Sequence, residues 1–385
     1  MRKICVVVTA RPSYSRVKTV LSSIKKHNGL ELQLVIAGSA LLDKYGSTID
    51  YIEQDGFDIA EKIYSVVEGE DLNTMAKTTG LGLIELSTVF DNLKPDIVLT
   101  IADRYETIAT AIAASYMNIP LAHLQGGEVT GSIDEKVRHA VTKLSDLHFV
   151  SNDIAYQRLI KMGENPSSIH NTGCPSIDLA AEVLKKPNDN FDPSNEYNWV
   201  PMGKEINISE DYIVVMQHPV TTEYNLAMEQ ITETLNAVND CGYPAFWFWP
   251  NVDAGSDGTS KGIRVFREEK QDSNIVFIKN MKSVDFLNLL YLSKGIVGNS
   301  SVAIRECSFL GVPAVNIGSR QQGREKGKNI VNVNHIENDI KSCINEHFKN
   351  PFFHSESIYG NGNSGELIAE LLYSSDLSIE KMITY

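Results

Sequence analysis

Residues 3–10, Lys-Ile-Cys-Val-Val-Val-Thr-Ala, form a nearly continuous β-branched run, the pattern of a parallel strand covered on both faces. A helix is predicted over 12–27, where Val17, Val20, Leu21 and Ile24 recur at spacings of three and four and Asn28-Gly29 closes the pattern. Strand resumes over 30–38. A long helix over 72–93 then carries Leu72, Met75, Leu83, Leu86, Phe90 and Leu93 on one stripe. Strand 96–102, helix 104–117, strand 120–125, helix 134–145 and strand 147–151 follow. Strands alternating with helices in this way specify a parallel, doubly wound sheet.

Between Lys185 and Asp211 the chain is rich in Asn, Pro and charge and loses its periodicity, as a domain linker does. A second series of apolar strands then begins at 212–219, 245–251, 274–280, 295–300 and 313–318. The expected fold class is therefore α/β: two Rossmann-like parallel-sheet domains facing a central cleft, an N-terminal one over 1–185 and a C-terminal one over 211–365, with 186–210 as linker. No internal repeat of solenoid length is visible. Gly80-Leu81-Gly82 falls in the middle of a predicted helix rather than directly after a strand, so it is not read as a dinucleotide loop.

Composition narrows the choice of partners. The chain of 385 residues has 35 basic and 49 acidic side chains, a net charge of −14, which argues against nonspecific binding to nucleic acid or anionic lipid. No apolar run approaches the ~20 residues of a membrane span. The N-terminal apolar run is too short for a signal segment, so a cytoplasmic location is expected. The five cysteines are widely separated and match neither a disulfide framework nor a zinc site, and no metal is expected.

In open parallel sheets, ligands bind beyond the carboxyl ends of the strands. The residues just past the predicted strands are chemically rich. The first domain has Arg11, then Asp103 and Arg104, then Gln125-Gly126-Gly127-Glu128; the second has His218, Asn251 with Asp253, Asn299-Ser300-Ser301, and Ser319-Arg320. Any one of these could be an ordinary polar loop residue, but together they point to a site. Gly-Asn-Ser-Ser at 298–301, ahead of a predicted helix, reads either as an anion seat or as a plain Ser N-cap. Glu306, five residues beyond Ser301, either reaches sugar hydroxyls or complements the helix dipole.

Arg11, Arg104 and Arg320 are candidates for holding a diphosphate. An Arg–phosphate pair ~4 Å apart at an effective dielectric of ~20 attracts by roughly 4 kcal/mol, so local geometry outweighs the net negative charge. Among nine histidines, His218 at a strand mouth is the first candidate for acid–base or diphosphate contact. His123 and His148 lie inside apolar strand patterns and read as core histidines.

The segments at 9–16, 102–107, 123–149, 173–178, 217–223, 250–258, 298–306 and 317–331, in that order, resemble the hydrolysing UDP-N-acetylglucosamine 2-epimerases over nearly the whole chain. The resemblance implies a GT-B architecture, with residues 366–385 crossing back onto the first domain. It places sugar and catalysis on the N-terminal domain and UDP on the C-terminal one. It also implies conversion of UDP-N-acetylglucosamine to N-acetylmannosamine and UDP through 2-acetamidoglucal, feeding sialic-acid synthesis. The alternative substrate is the 2,4-diacetamido-2,4,6-trideoxy sugar of legionaminic acid pathways, and the alternative reaction is glycosyl transfer on the same fold. No cofactor is expected beyond UDP as part of substrate and product, no fused sugar kinase is expected, and a homodimer or homotetramer is.

Carried over by residue, the resemblance gives catalytic or near-catalytic roles to Asp103, Asp134 and His218. It gives nucleotide or diphosphate contacts to Arg11, Ser15, Arg104, Asn251, Ser300, Ser301, Glu306 and Arg320. One departure stands out. Where the family has a catalytic Glu before Gly-Gly, this chain has Gln125, so Glu128 or Asp134 takes over as base, or the substrate differs.

Overall fold

The computed structural model describes residues 1–384 apart from 43–47, 69–71, 102–103, 131–132, 189–190, 194–196, 198–205, 251–255, 279–280 and 351, and apart from the side chains of Arg11 and Thr221. The chain divides into two compact units, one of 1–128, 133–178 and 359–385, the other of 129–132 and 179–358.

In the first unit the order is β1 (Arg2–Val8), α1 (Arg11–Lys26), β2 (Leu30–Ala37), α2 (Thr48–Gln54), β3 (Ile59–Ile63), α3 (Leu72–Leu93), β4 (Ile97–Ile101), α4 (Thr107–Tyr116), β5 (Leu121–Leu124), α5 (Ile133–Leu144), β6 (Leu147–Val150), α6 (Asp153–Lys161), β7 (Ile169–Asn171) and α7 (Ser176–Lys185). The last of these helices runs across the division between the units. The strands form one parallel sheet in the order β3-β2-β1-β4-β5-β6-β7. Successive side chains of a strand point to opposite faces. Accordingly Ile4, Val6 and Val8 join one apolar layer, while Cys5 and Val7 join the layer on the other face. That two-sided burial is why the strands read as unbroken apolar runs. Gly80 and Gly82 lie inside α3.

The second unit contains β8 (Ile213–Met216), α8 (Ala227–Asp240), β9 (Ala245–Phe248), α9 (Ser256–Glu269), β10 (Ile275–Ile278), α10 (Ser283–Tyr291), β11 (Ile296–Gly298), α11 (Ser301–Ile304), α12 (Glu306–Leu310), β12 (Ala314–Ile317), β13 (Ile330–Val333) and α13 (Glu337–His347). Its parallel sheet has the order β10-β9-β8-β11-β12-β13. Here too the two faces separate, with Val214, Phe246 and Phe248 in one layer and Ile213, Val215 and Trp247 in the other. The stretch read from composition as a linker is partly core: Phe191 is buried in the second unit, and the Tyr197 hydroxyl donates to Asp285 Oδ2 at 2.6 Å.

After Ile358 the chain returns to the first unit and forms α14 (Ser364–Ser374). This helix buries Ile368, Ala369 and Leu372 in the same layer as β1 and α1. Asp178 anchors its start, accepting from Ser364 N and Gly365 N at 2.8 Å each and from Thr19 Oγ1 at 2.8 Å. Three donors satisfy a carboxylate that would otherwise be costly to bury. Among the described residues no helix is long and apolar enough to cross a membrane.

Candidate active site

The strand order reverses direction between β1 and β4 in the first sheet and between β8 and β11 in the second. Such switch points leave a crevice beyond the strand ends where ligands bind. Of the described candidates, Arg104 lies at the first switch point and His218 and Ser300 at the second, while Gln125 and Glu128 follow β5 and Arg320 follows β12, each one strand further on.

At the first switch point, the loop after β2 is tied to the mouth of β1 by Ser39 Oγ and Ala40 N, which donate to Thr9 O at 3.2 and 3.1 Å. Arg11 opens α1, and Ser15 lies partly buried in its second turn. Beyond β4, helix α4 starts at Thr107 rather than at 104, leaving Arg104–Glu106 as a turn at the strand mouth. The Arg104 Nε stands 3.3 Å from Glu106 Oε1, and its guanidinium lies 5.6 Å from the Tyr105 ring centre. Glu106 is only 7% exposed. Burial pushes its carboxyl up from the ordinary range and the Asp134 charge adds to that, while Arg104 pulls it down. Asp103 lies outside the described residues.

The loop after β5 is tightly built. Gln125 has φ +64°, a left-handed conformation that costs a side-chain-bearing residue roughly 1–2 kcal/mol and is the kind of strain that collects at functional sites. Its amide is buried, and Nε2 donates to the Cys174 Sγ at 3.0 Å; that sulfur lies 3.1 Å from Ser176 Oγ. Gly127, at φ +76°, passes so close to α6 that a Cβ there would stand 2.5 Å from Ala155 O. Glu128 is turned inward, accepting from Ser151 Oγ at 2.7 Å at the mouth of β6. Asp134 is half-buried in the first turn of α5, where its charge reaches Glu106.

At the second switch point, the Asn299 side chain joins two strand mouths. His218 N donates to Asn299 Oδ1, and Asn299 Nδ2 donates back to His218 O, both at 2.8 Å. Arg320 Nη1 and Gln321 Nε2 donate to Asn299 O at 3.1 and 2.8 Å. This closeness requires Gly298, at φ +133°, because a Cβ there would stand 2.2 Å from Met216 O. Glu223 holds the loop after β12, accepting from Ser319 Oγ at 2.8 Å and from Gln230 Nε2 at 2.6 Å.

The helix expected after Ser300 is two short pieces. Ser300 caps the first, its Oγ accepting from Val302 N at 3.4 Å, and Ser301 opens it. Arg305, at φ −94° and ψ −69°, breaks the path. Glu306 thus begins a new turn with its carboxyl buried, and its Oε2 has no hydrogen-bond partner among the described residues. A single helix dipole does not account for it. Asn251 falls outside the described residues.

Each unit therefore gathers its own candidates. The first brings Arg104 and Asp134 to one strand mouth region through Glu106, with Gln125 on the loop beyond β5. The second brings together His218, Ser300 and Arg320 around Asn299. Glu106, Gln321 and Glu223 have no role assigned to them from the sequence. Among the described residues no three His, Cys, Asp or Glu side chains are grouped to hold a metal ion.

The sequence profile of a family described as UDP-N-acetylglucosamine 2-epimerase matches residues 22–373. A protein of Legionella pneumophila named UDP-N,N'-diacetylbacillosamine 2-epimerase (hydrolyzing) is 32% identical over 97% of this chain and 96% of its own. A UDP-N-acetylglucosamine 2-epimerase of Neisseria meningitidis serogroup B is 28% identical over 97% and 95%. The crystal structure of a UDP-GlcNAc 2-epimerase from Neisseria meningitidis, bound to UDP-GlcNAc, superposes with a TM-score of 0.79 at 18% identity, covering 97% of this chain and 100% of that one. At that identity the likeness is one of fold, and it is of the GT-B-like α/β class expected from the sequence.

Proposed function

We propose that this chain, which belongs to the UDP-N-acetylglucosamine 2-epimerase family, converts UDP-N-acetylglucosamine and water to UDP and N-acetylmannosamine. The observation that supports this most strongly is the extent of the family match. It runs from 22 to 373 and takes in every strand of both sheets but β1, so the Arg104–Glu106 turn, the acids near it and the Asn299 hub all fall within it.

The chemistry fits the residue types. The hydrogen on C2 of the sugar has no neighbouring carbonyl and is barely acidic, so a base removes it only as the C1–O bond breaks and positive charge builds at C1. The electron pair of the C1–O bond leaves with the diphosphate, and the C2–H pair becomes the double bond of 2-acetamidoglucal. Addition of water then places hydroxyl on C1 and a proton on C2 from the opposite face. Donors of the second unit, with His218, Ser300 and Arg320 at their centre, stabilise the departing diphosphate. Asp134 and Asp103 are the proton-transfer acids in this reading. Glu128 is not, because Ser151 already holds it inward. The sequence is redox neutral and draws on no cofactor.

A second substrate is favoured by one feature, the Gln125 amide, and by the Legionella relative named for UDP-N,N'-diacetylbacillosamine. Gln125→Glu is expected to change the ratio of kcat/KM between UDP-N-acetylglucosamine and the 4-acetamido sugar by about tenfold, the order that one repaired or broken polar contact supplies. An unchanged ratio removes Gln125 from substrate choice. The function itself is tested by following UDP release from each nucleotide sugar with no acceptor present. Acceptor-independent release supports the proposal, and release only with an acceptor marks a transferase.

A further inference from the structure

We infer that the outward face of α3 is an interface between two copies of this chain, paired antiparallel about a two-fold axis at Leu81. The inference is independent of the reaction proposed above.

Helix α3 has two faces of different kinds. One buries Leu86, Val89 and Phe90 in the apolar layer that also holds Cys5, Val7 and Val98 of β1 and β4. On the other, Asn73, Lys77, Gly80, Leu81, Ile84 and Thr88 recur at spacings of three and four, and all are exposed. A single exposed aliphatic side chain needs no explanation. Here Leu81 and Ile84 lie one turn apart, 43% and 63% exposed, in the middle of a helix about 33 Å long. A Cβ added at Gly80, next to them, would meet nothing within 4 Å. The glycine therefore leaves the helix surface low at its centre, where a second helix can approach to the usual interaxial distance of about 8–10 Å. An apolar centre with a polar rim is the make-up of a protein–protein contact.

The charges identify the occupant. Lys77 and Glu85, both exposed, stand four residues to either side of Leu81. Neither side chain has an ion-pair or hydrogen-bond partner among the described residues. Two-fold symmetry makes an interface self-complementary, so a residue before the centre of one antiparallel helix meets the residue equally far beyond it on the other. Centred at Leu81, that operation sets Lys77 of each copy against the partner's Glu85, twice over, and Leu81 against itself. Parallel pairing would set like charges opposite each other, which repel. A partner of different sequence gives this face no reason to be complementary to itself.

The test is sedimentation equilibrium on the full chain over a range of concentrations. Wild type is expected to self-associate. Ile84→Asp should weaken that association by at least about hundredfold, because each copy would bury an unpaired charge. Lys77→Glu and Glu85→Lys, each alone, should weaken it by about tenfold, as two reversed pairs at an exposed rim do. The two together restore opposite charges and should return the affinity to within about threefold of wild type. Both of these side chains are exposed, so the charge swap tests the pairing even if Ile84→Asp does not fold. A wild type that stays monomeric at every concentration overturns the inference, as does an Ile84→Asp variant that associates as tightly as wild type. A charge swap that fails to recover the affinity lost by either single reversal overturns it too.

Discussion

Asp134→Asn is expected to lower turnover of the nucleotide sugar by about 10²- to 10⁴-fold, the usual contribution of a positioned general acid or base, while UDP affinity stays within about threefold. The amide keeps the shape of the side chain and removes its ability to take a proton. Asp134 stands in the first turn of α5, and its charge reaches Glu106 beside Arg104. By contrast Glu128 is committed to Ser151 and Gln125 to Cys174. Parallel measurement of kcat and of UDP binding checks the assignment. Normal turnover by the variant moves the base elsewhere, and equal losses in UDP affinity and turnover make Asp134 a binding group.

Acid is expected to unfold the first unit through a charge cluster around the buried Glu164. Glu164 is buried, with Lys143 Nζ at 2.7 Å, Lys381 Nζ at 2.5 Å and His148 Nε2 at 3.1 Å. Lys381, on the C-terminal segment, also donates to Thr142 O and Ser145 O at the end of α5. Burial raises the Glu164 carboxyl, but the hydrogen bonds from His148, Lys143 and Lys381 outweigh it and hold the group at about 2. With a folded value below the unfolded one, its contribution is fully present above the unfolded carboxylate range and is lost as pH falls toward 2. Linkage makes that contribution about 3 kcal/mol. Burial also pushes the Lys381 ammonium down despite Glu164, which offsets part of it.

His123 and His148 act with the same sign at higher pH, since burial pushes both rings below their ordinary value and their protonation favours the unfolded chain. Urea midpoints should therefore fall progressively below about pH 6.5. Glu164→Gln should cost about 3 kcal/mol at pH 7, because it removes the buried charge that His148 and two part-exposed lysines share, and should flatten the decline between about pH 5 and 2.5. A variant as stable as wild type, or with the same acid slope, contradicts this account of the cluster.

The strands that sequence reading located are the ones covered on both faces. Those it missed, β3, β7 and β13, are all edge strands. Ile59–Ile63 exposes its three central residues, β7 is three residues long, and β13 is only partly buried. None of them needs an unbroken apolar run. The site was legible wherever a polar residue directly follows an apolar strand, as at Arg104, Gln125 and His218. It was not legible where a residue matters through topology. Asn299 itself directly follows an apolar strand and is a candidate on that ground, but its part as a hub depends on β8 and β11 being neighbours, which places His218 beside a residue 81 positions later. Glu106 falls inside the helix that the sequence predicts from 104, whereas α4 begins three residues on and leaves it in the turn. The break at Arg305 depends on local backbone angles that the apolar pattern of residues 301–310 does not encode.

The most direct test of the whole account is to incubate the chain with UDP-N-acetylglucosamine in deuterated water, without acceptor or added cofactor, and to follow proton and phosphorus NMR. The account predicts free UDP together with N-acetylmannosamine carrying deuterium at C2, because the original proton is removed and the new one comes from solvent. Release of UDP with a sugar that keeps its gluco configuration and its C2 proton would contradict it.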